Sequence, residues 1–156
     1  MELFELVRPE AIKIVNTVTS KKRLFQDIGE LANAAYGVPL NEAVEALLER
    51  ESLGPTGVGN GIAFPHARLP GLTQVVGVFI RLEKPVEFEA VDRQPVDLVL
   101  ALFAPTDSGV EHLKALALVA RTMRDGDTCA KLRSSSDPAT LHAILVDAQM
   151  GKSQAA

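Results

Sequence analysis

Val96-Asp97-Leu98-Val99-Leu100-Ala101-Leu102-Phe103-Ala104 is the most apolar segment of the chain. A run that stays apolar at consecutive positions suits a central strand covered on both faces. Pro105 ends it, since proline brings no N–H to a strand ladder. A helix is predicted to follow from about residue 109 to residue 124, so this segment reads as a strand feeding a helix. Upstream, Val75-Val76-Gly77-Val78-Phe79-Ile80-Arg81-Leu82 reads as a second buried strand, broken at Lys84-Pro85. Residues 86–88 form a short piece, and Asp92-Arg93-Gln94 a turn. The connections between Ile80 and Val96 are too short for crossover helices, so part of the sheet is expected to be antiparallel.

The alternation of strand and helix continues to both ends. Residues 11–18 are β-branched and short, a first strand or extended arm. Ser20 caps a helix whose face is Leu24, Ile28, Leu31 and Ala35, and Gly37 with Pro39 stops it. Asn41 is placed to cap the next helix, with Val44, Leu47 and Leu48 inward and Arg50 and Glu51 in its last turn. Downstream come a helical piece at 129–133 and a final helix from Pro138 to residue 148, with Asp137 as cap. Residues 149–156 read as a frayed, disordered tail. The pattern predicts a single α/β domain over 1–148, a three-layer α/β/α sandwich on a mixed, mainly parallel sheet of about five strands.

Composition excludes several functions. The chain has 156 residues, 47% hydrophobic and 23% charged, which suits one globular domain with one core. The net charge is −4 and the basic residues are scattered apart from Lys21-Lys22-Arg23, so no nucleic-acid partner is expected. No window approaches the roughly 18 apolar residues of a membrane span, and the first residues lack a cationic leader pattern. The expected location is cytoplasmic, without membrane insertion. Cys129 is the single cysteine and is assigned no role beyond a small, partly buried side chain.

Chemistry collects around one histidine. Leu53-Gly54-Pro55-Thr56-Gly57-Val58-Gly59-Asn60-Gly61 leads into Ile62-Ala63-Phe64-Pro65-His66. Pro65 is expected to end a strand and present His66 at its mouth. The glycines read as a close-approach surface; they fit neither a phosphate-binding P-loop nor a dinucleotide fingerprint. From residue types alone, His66 is either a structural or surface histidine or a presented nucleophile. Arg68, two positions on in an extended segment, points to the same side and supplies a cation. Ser108-Gly109-Val110-Glu111 has the form of a capping box, which puts His112 in the first turn of a helix, where the dipole favours a neutral imidazole and a nearby anion. A half-buried core histidine explains His112 equally well. In an open α/β sheet, sites gather beyond strand ends, so His66 and His112 are expected to share one crevice. His142, among Leu141, Ile144 and Leu145, reads as structural or surface. No two of the three histidines have helical zinc spacing, so no metal site is expected, and Gly-x-Ser-x-Gly is absent.

Four segments carry a resemblance in order along nearly the whole chain. They are Leu48-Glu49-Arg50-Glu51, the block from Gly54 to His66, Pro95-Val96-Asp97-Leu98-Val99, and Glu111-His112-Leu113-Lys114-x-Leu116-Ala117. Together they resemble the fructose/mannitol-type (type 2) enzyme IIA domains of the bacterial phosphoenolpyruvate-dependent phosphotransferase system, and among these the nitrogen-regulatory branch. The resemblance implies a mixed five-stranded sheet flanked by helices. It implies that His66 is the phosphoryl acceptor, becoming a tele-phosphohistidine at Nε2, with a histidine-phosphocarrier protein as donor. Arg50 would anchor the phosphate and His112 would orient His66 through a hydrogen bond, with no cofactor and no metal; Arg68 belongs to the partner surface or to the phosphate. A chain that stands alone fits the regulatory branch, in which phosphorylation controls binding to targets such as transporters or kinases. The alternatives are a sugar-transporter component passing phosphate to an enzyme IIB cysteine, and a binding module that is never phosphorylated.

Overall fold

The segment 96–105 is a strand buried on both faces, with Leu98, Val99, Leu100, Ala101, Leu102, Phe103 and Ala104 all inaccessible to solvent. The structure, a computed structural model, describes residues 2–155, with side chains for residues 2, 3 and 5–148. In chain order the elements are α1 (Leu3–Leu6), a 3-10 turn (Pro9–Ala11), β1 (Ile12–Val15), α2 (Lys21–Tyr36), α3 (Leu40–Ser52), β2 (Gly57–Gly59), β3 (Ile62–Ala63), β4 (His66–Leu69), β5 (Val76–Val86), β6 (Val96–Pro105), α4 (Val110–Arg124), α5 (Gly126–Ser134) and α6 (Pro138–Ala155). The sheet has six strands in the order β1-β5-β6-β3-β2, with β4 also paired to β6. β1, β3 and β4 pair in parallel, while β5 runs antiparallel to β6 and β2 to β3. The expected mixed sheet is therefore found. α2 packs on α3 and β5, and α3 on β4; α4 packs on β6, and α6 on β1 and α5. None of the helices among the described residues is long and apolar enough to cross a membrane.

β3 and β4 are one strand interrupted by a proline. Ile62 and Ala63 face Leu98 and Val99, and His66 and Ala67 face Leu102 and Phe103, so the same register along β6 runs through the gap. Pro65 has no N–H to give to the ladder, yet its carbonyl still accepts from Leu102 N at 2.9 Å. The expected order is thereby corrected: His66 does not close a strand but opens one, immediately after the break.

Other boundaries follow from local chemistry. Ser20 accepts from Arg23 N and Gly37 takes φ 73 at the end of α2, as the sequence indicates. Asp137 accepts from Thr140 N at 3.1 Å at the start of α6. The cap expected at Asn41 is not used, because α3 begins at Leu40 with Pro39 before it. Lys84-Pro85 does not end β5; a register shift between Arg81 and Val86 absorbs the proline inside the strand. α6 passes the boundary expected at 148 and continues to Ala155.

The close approach that the glycine run allows is, at Gly57 and Gly61, to the chain's own atoms. Asn60 (φ 57) and Gly61 (φ 78) are both left-handed and form the two-residue turn between β2 and β3, the type I′ geometry that Asn-Gly favours. A Cβ on Gly61 would lie 2.7 Å from Arg133 Nη2 and 2.8 Å from Asp97 Oδ1. Those atoms belong to a lock: Arg133 donates through Nε to Asp97 Oδ2 at 2.9 Å and through Nη2 to the Asn60 carbonyl at 2.7 Å. Gly61→Ala is therefore expected to destabilise the domain by about 2 kcal/mol, combining a left-handed alanine with displacement of an ion pair. The urea midpoint of unfolding measures it, and an unchanged midpoint would show that the turn yields freely.

Candidate functional site

His66 opens β4 and is half-buried. Its Nδ1 lies 2.9 Å from the Phe64 carbonyl oxygen. A carbonyl can only accept, so Nδ1 carries the ring proton and Nε2 keeps its lone pair. The proline break thus places a carbonyl two residues back that fixes the tautomer. The His112 ring stands edge-on to His66, with centroids 5.5 Å apart and planes at 80°. His112 is buried in the first turn of α4, and neither of its nitrogens has a hydrogen-bond partner. The bond expected from His112 to His66 is therefore not made here; Phe64 orients His66 instead. The expected capping box is absent as well. Gly109 is the N-cap, without a side-chain bond, Ser108 Oγ has no partner, and Glu111 pairs with Lys114 at 3.7 Å.

Arg50 closes α3, donating to the Gly54 carbonyl through Nη1 at 3.1 Å. Its neighbour Glu51 builds the turn that follows. The Glu51 carboxylate accepts from Thr56 Oγ1 at 2.6 Å, from Thr56 N at 3.0 Å and from Lys21 Nζ at 3.1 Å. Glu51 and Thr56 were given no task by the sequence reading. One signal was available: a carboxylate in the last turn of a helix opposes the dipole, which makes sense only where the group is engaged elsewhere. Arg50, His66, Arg68 and His112 line one open cleft of about 560 Å³, rimmed by Leu53 and Leu113. The four residues singled out for phosphate chemistry are brought together. His142 lies apart, on α6 against Leu3 and Val7. Among the described residues no group of three or more His, Cys, Asp or Glu is placed to hold a metal ion.

Residues 5–148 match the family model described as "Phosphoenolpyruvate-dependent sugar phosphotransferase system, EIIA 2". The chain belongs to this family. It is 46% identical over 145 residues to a nitrogen regulatory protein of Bradyrhizobium diazoefficiens, covering 93% of this chain and 95% of that one. A nitrogen regulatory protein of Escherichia coli (strain K12) is 44% identical over 131 residues, covering 83% and 80%. Among solved structures, the crystal structure of nitrogen regulatory protein IIA-Ntr from Neisseria meningitidis superposes with a TM-score of 0.84 at 36% identity, covering 90% of this chain and 97% of that one. Membership of the EIIA family supports a phosphocarrier role within the phosphotransferase system.

The electrostatics of this cleft disfavour the charged form of both imidazoles. Burial pushes the His66 pKa below its ordinary value; the Arg50 guanidinium pushes the same way, against the Phe64 carbonyl and Glu51. His112 is lowered by burial first, then by His66 and Arg68. Above pH 6.5 both rings are therefore neutral, and the Nε2 lone pair of His66 is available for attack. Arg68, exposed on β4 and 3.4 Å from the Thr106 carbonyl, adds a cation on the same side.

Proposed function

We propose that His66 accepts a phosphoryl group at Nε2 from a histidine-phosphocarrier protein, and that the phosphorylation state then governs binding to regulatory targets such as transporters or kinases. The observation that carries the reading is the Nδ1–H bond to Phe64, which leaves Nε2 as the basic atom of a ring that shares a cleft with Arg50. The Nε2 lone pair attacks phosphorus as the donor N–P bond breaks and its electron pair returns to the donor ring. The Nδ1 proton stays where it is throughout. Such transfers pass through a loose transition state, so the site has only to position the reactants and neutralise oxygen charge. Arg50 supplies the cation. The unpartnered nitrogens of His112 supply a hydrogen bond that comes into being only when a phosphoryl oxygen arrives. Leu53 and Leu113, 81% and 66% exposed on the rim, offer the apolar contact that a docking protein needs.

The regulatory output rests on the nitrogen regulatory proteins to which the chain is similar. The family description names a sugar phosphotransferase system, and this favours a second reading in which His66 hands its phosphate to an enzyme IIB cysteine. One experiment tests both. Incubation with phosphoenolpyruvate, enzyme I and the phosphocarrier is expected to add about 80 Da, acid-labile, to the peptide containing His66. A chain that stays unlabelled rejects the proposal, and a chase of label onto an enzyme IIB protein would select the transport branch.

The pH dependence has a definite sign. Attack requires neutral His66, whose pKa lies below the ordinary 6.5. The single-turnover rate of uptake is therefore expected to hold steady as pH falls through 6.5 and to decline only below it. Because His66 and His112 bind protons less readily folded than unfolded, their contribution to stability is complete above pH 6.5 and shrinks as the pH drops further. An acid limb centred at or above 6.5 would contradict the placement of these rings.

A further inference from the structure

His66 borders a second cleft. It has a volume of about 660 Å³ and lies between the β2–β3 hairpin and the α4–α5 corner, sharing Arg50, His66 and Leu116 with the cleft of the phosphoryl site. Its size falls within the range of small-molecule sites. The walls are apolar at Ile62, Phe64, Leu116, Ala120 and Met123, with Thr56 and Asn60 as polar points. Among the described residues it is lined by three arginines and by no Asp or Glu, in a chain whose net charge is −4. Arg133 is neutralised by Asp97. Among the described residues Arg50 donates to the Gly54 carbonyl alone, and Arg124 is exposed with no carboxylate partner. The adjacent Asp125 accepts from Thr128 Oγ1 at 2.7 Å. Two guanidinium groups that make no salt bridge among the described residues, over an apolar floor, are complementary to one ligand class: a compact oxyanion head on a small apolar body.

We infer that this cleft binds a small organic oxyanion, a carboxylate or a phosphate ester with an apolar body, and that its occupant competes with the incoming phosphoryl group for Arg50. The binding step stands on the geometry alone; the competition rests on His66 being the phosphoryl acceptor. An occupant held by Arg124 and Arg50 would divert the Arg50 guanidinium from the His66 side of the wall that the two clefts share. Such a ligand would report metabolite level to the phosphorylation state without touching the carrier-docking rim at Leu53 and Leu113.

The test uses the full chain, unphosphorylated, with its methionine and isoleucine methyl groups labelled for NMR. Phenyl phosphate and benzoate are the probes; inorganic phosphate and benzyl alcohol report head and body alone. The expected result is saturable shifts of the Met123 and Ile62 methyls with at least one of the two amphipathic anions. The comparison of phenyl phosphate with benzoate shows which head the site takes. Arg124→Ala is expected to weaken the affinity about tenfold, and Ala120→Leu, which fills the cleft, to abolish the shifts while leaving uptake of phosphate unchanged in the absence of probe. Wild-type uptake should slow as the probe saturates the cleft, and Ala120→Leu uptake should not. Silent Met123 and Ile62 methyls with every probe, or shifts that persist undiminished in both variants, overturn the site. Binding at Met123 with uptake unaffected overturns the competition. A chain that binds phenyl phosphate but never accepts phosphate overturns the phosphocarrier reading and leaves the site standing.

Discussion

A His66→Ala protein is expected to take up no phosphoryl group from the charged carrier while remaining folded. The loss should be complete because no second nucleophile stands in the right place. His112 is the nearest imidazole, yet it is 5% exposed and neither nitrogen is held by a partner that would fix its tautomer. Arg50 and Arg68 offer hydrogen-bond donors and no nucleophilic lone pair. The fold should survive, since the His66 side chain makes one hydrogen bond, to Phe64 of its own strand segment, and the backbone register with Leu102 does not depend on the ring. A stability change of about 1 kcal/mol or less is expected, from a half-exposed ring. Intact-mass spectrometry after incubation with the phosphorylated carrier reads the first effect, and thermal unfolding the second. Label on the His66→Ala chain at His112 would reverse the roles given to the two histidines. In the unsubstituted chain, phosphorus should be bonded to Nε2, which nitrogen–phosphorus coupling resolves; attachment at Nδ1 would mean that the Phe64 bond had been broken to reach it.

Several parts of this arrangement that depend on one segment's composition were readable in the sequence, and most contacts between segments were not. The strand β6 announces itself because burial on both faces demands an unbroken apolar run. Ser20 and Gly37 mark the ends of α2 because capping is local chemistry. Asn60-Gly61 was equally local, and the Asn-Gly pair is a strong hairpin signal, but four glycines in eight residues drew attention to a close-approach surface in place of a turn. Gly61 is glycine because Arg133, 72 positions away in the sequence, occupies the space beside it. Lys84-Pro85 failed as a stop because a bulge lets a strand tolerate a proline that the ladder does not need. At the site, Arg50, His66, Arg68 and His112 line one cleft, as their grouping in the sequence suggested, but two bonds were misjudged. The Phe64 carbonyl, not His112, holds His66, since a side-chain-to-backbone contact two residues apart leaves no trace in residue type. Ser108 looks like a cap only if the helix starts one residue earlier than it does.

Arg50→Ala is expected to slow phosphoryl uptake about 10²- to 10³-fold, the size of effect that follows removal of one preorganised charge-stabilising donor, or roughly 3–4 kcal/mol in the barrier. The position of Arg50 is set by its neighbours. Glu51 ties the end of α3 to Thr56 and Lys21, and Gly54 receives one arm of the guanidinium, so the group is fixed before the phosphoryl group arrives. Preorganisation of this kind acts on the transition state more than on docking, because the rim residues proposed for docking, Leu53 and Leu113, stay exposed whether or not the cation is present. Single-turnover uptake at rising carrier concentration should therefore show a lower limiting rate with an unchanged half-saturation. Arg50→Lys should recover only part of the rate: it keeps the charge and loses the fork that both holds Gly54 and faces the oxygens. The substitution also removes a cation that lowers the His66 pKa, so the acid limb of the Arg50→Ala profile should move up towards 6.5 even as the plateau falls. A merely structural arginine would shift neither the limb nor the limiting rate once the folded fraction is accounted for, and a half-saturation that rises while the limiting rate holds would place Arg50 in docking instead of chemistry.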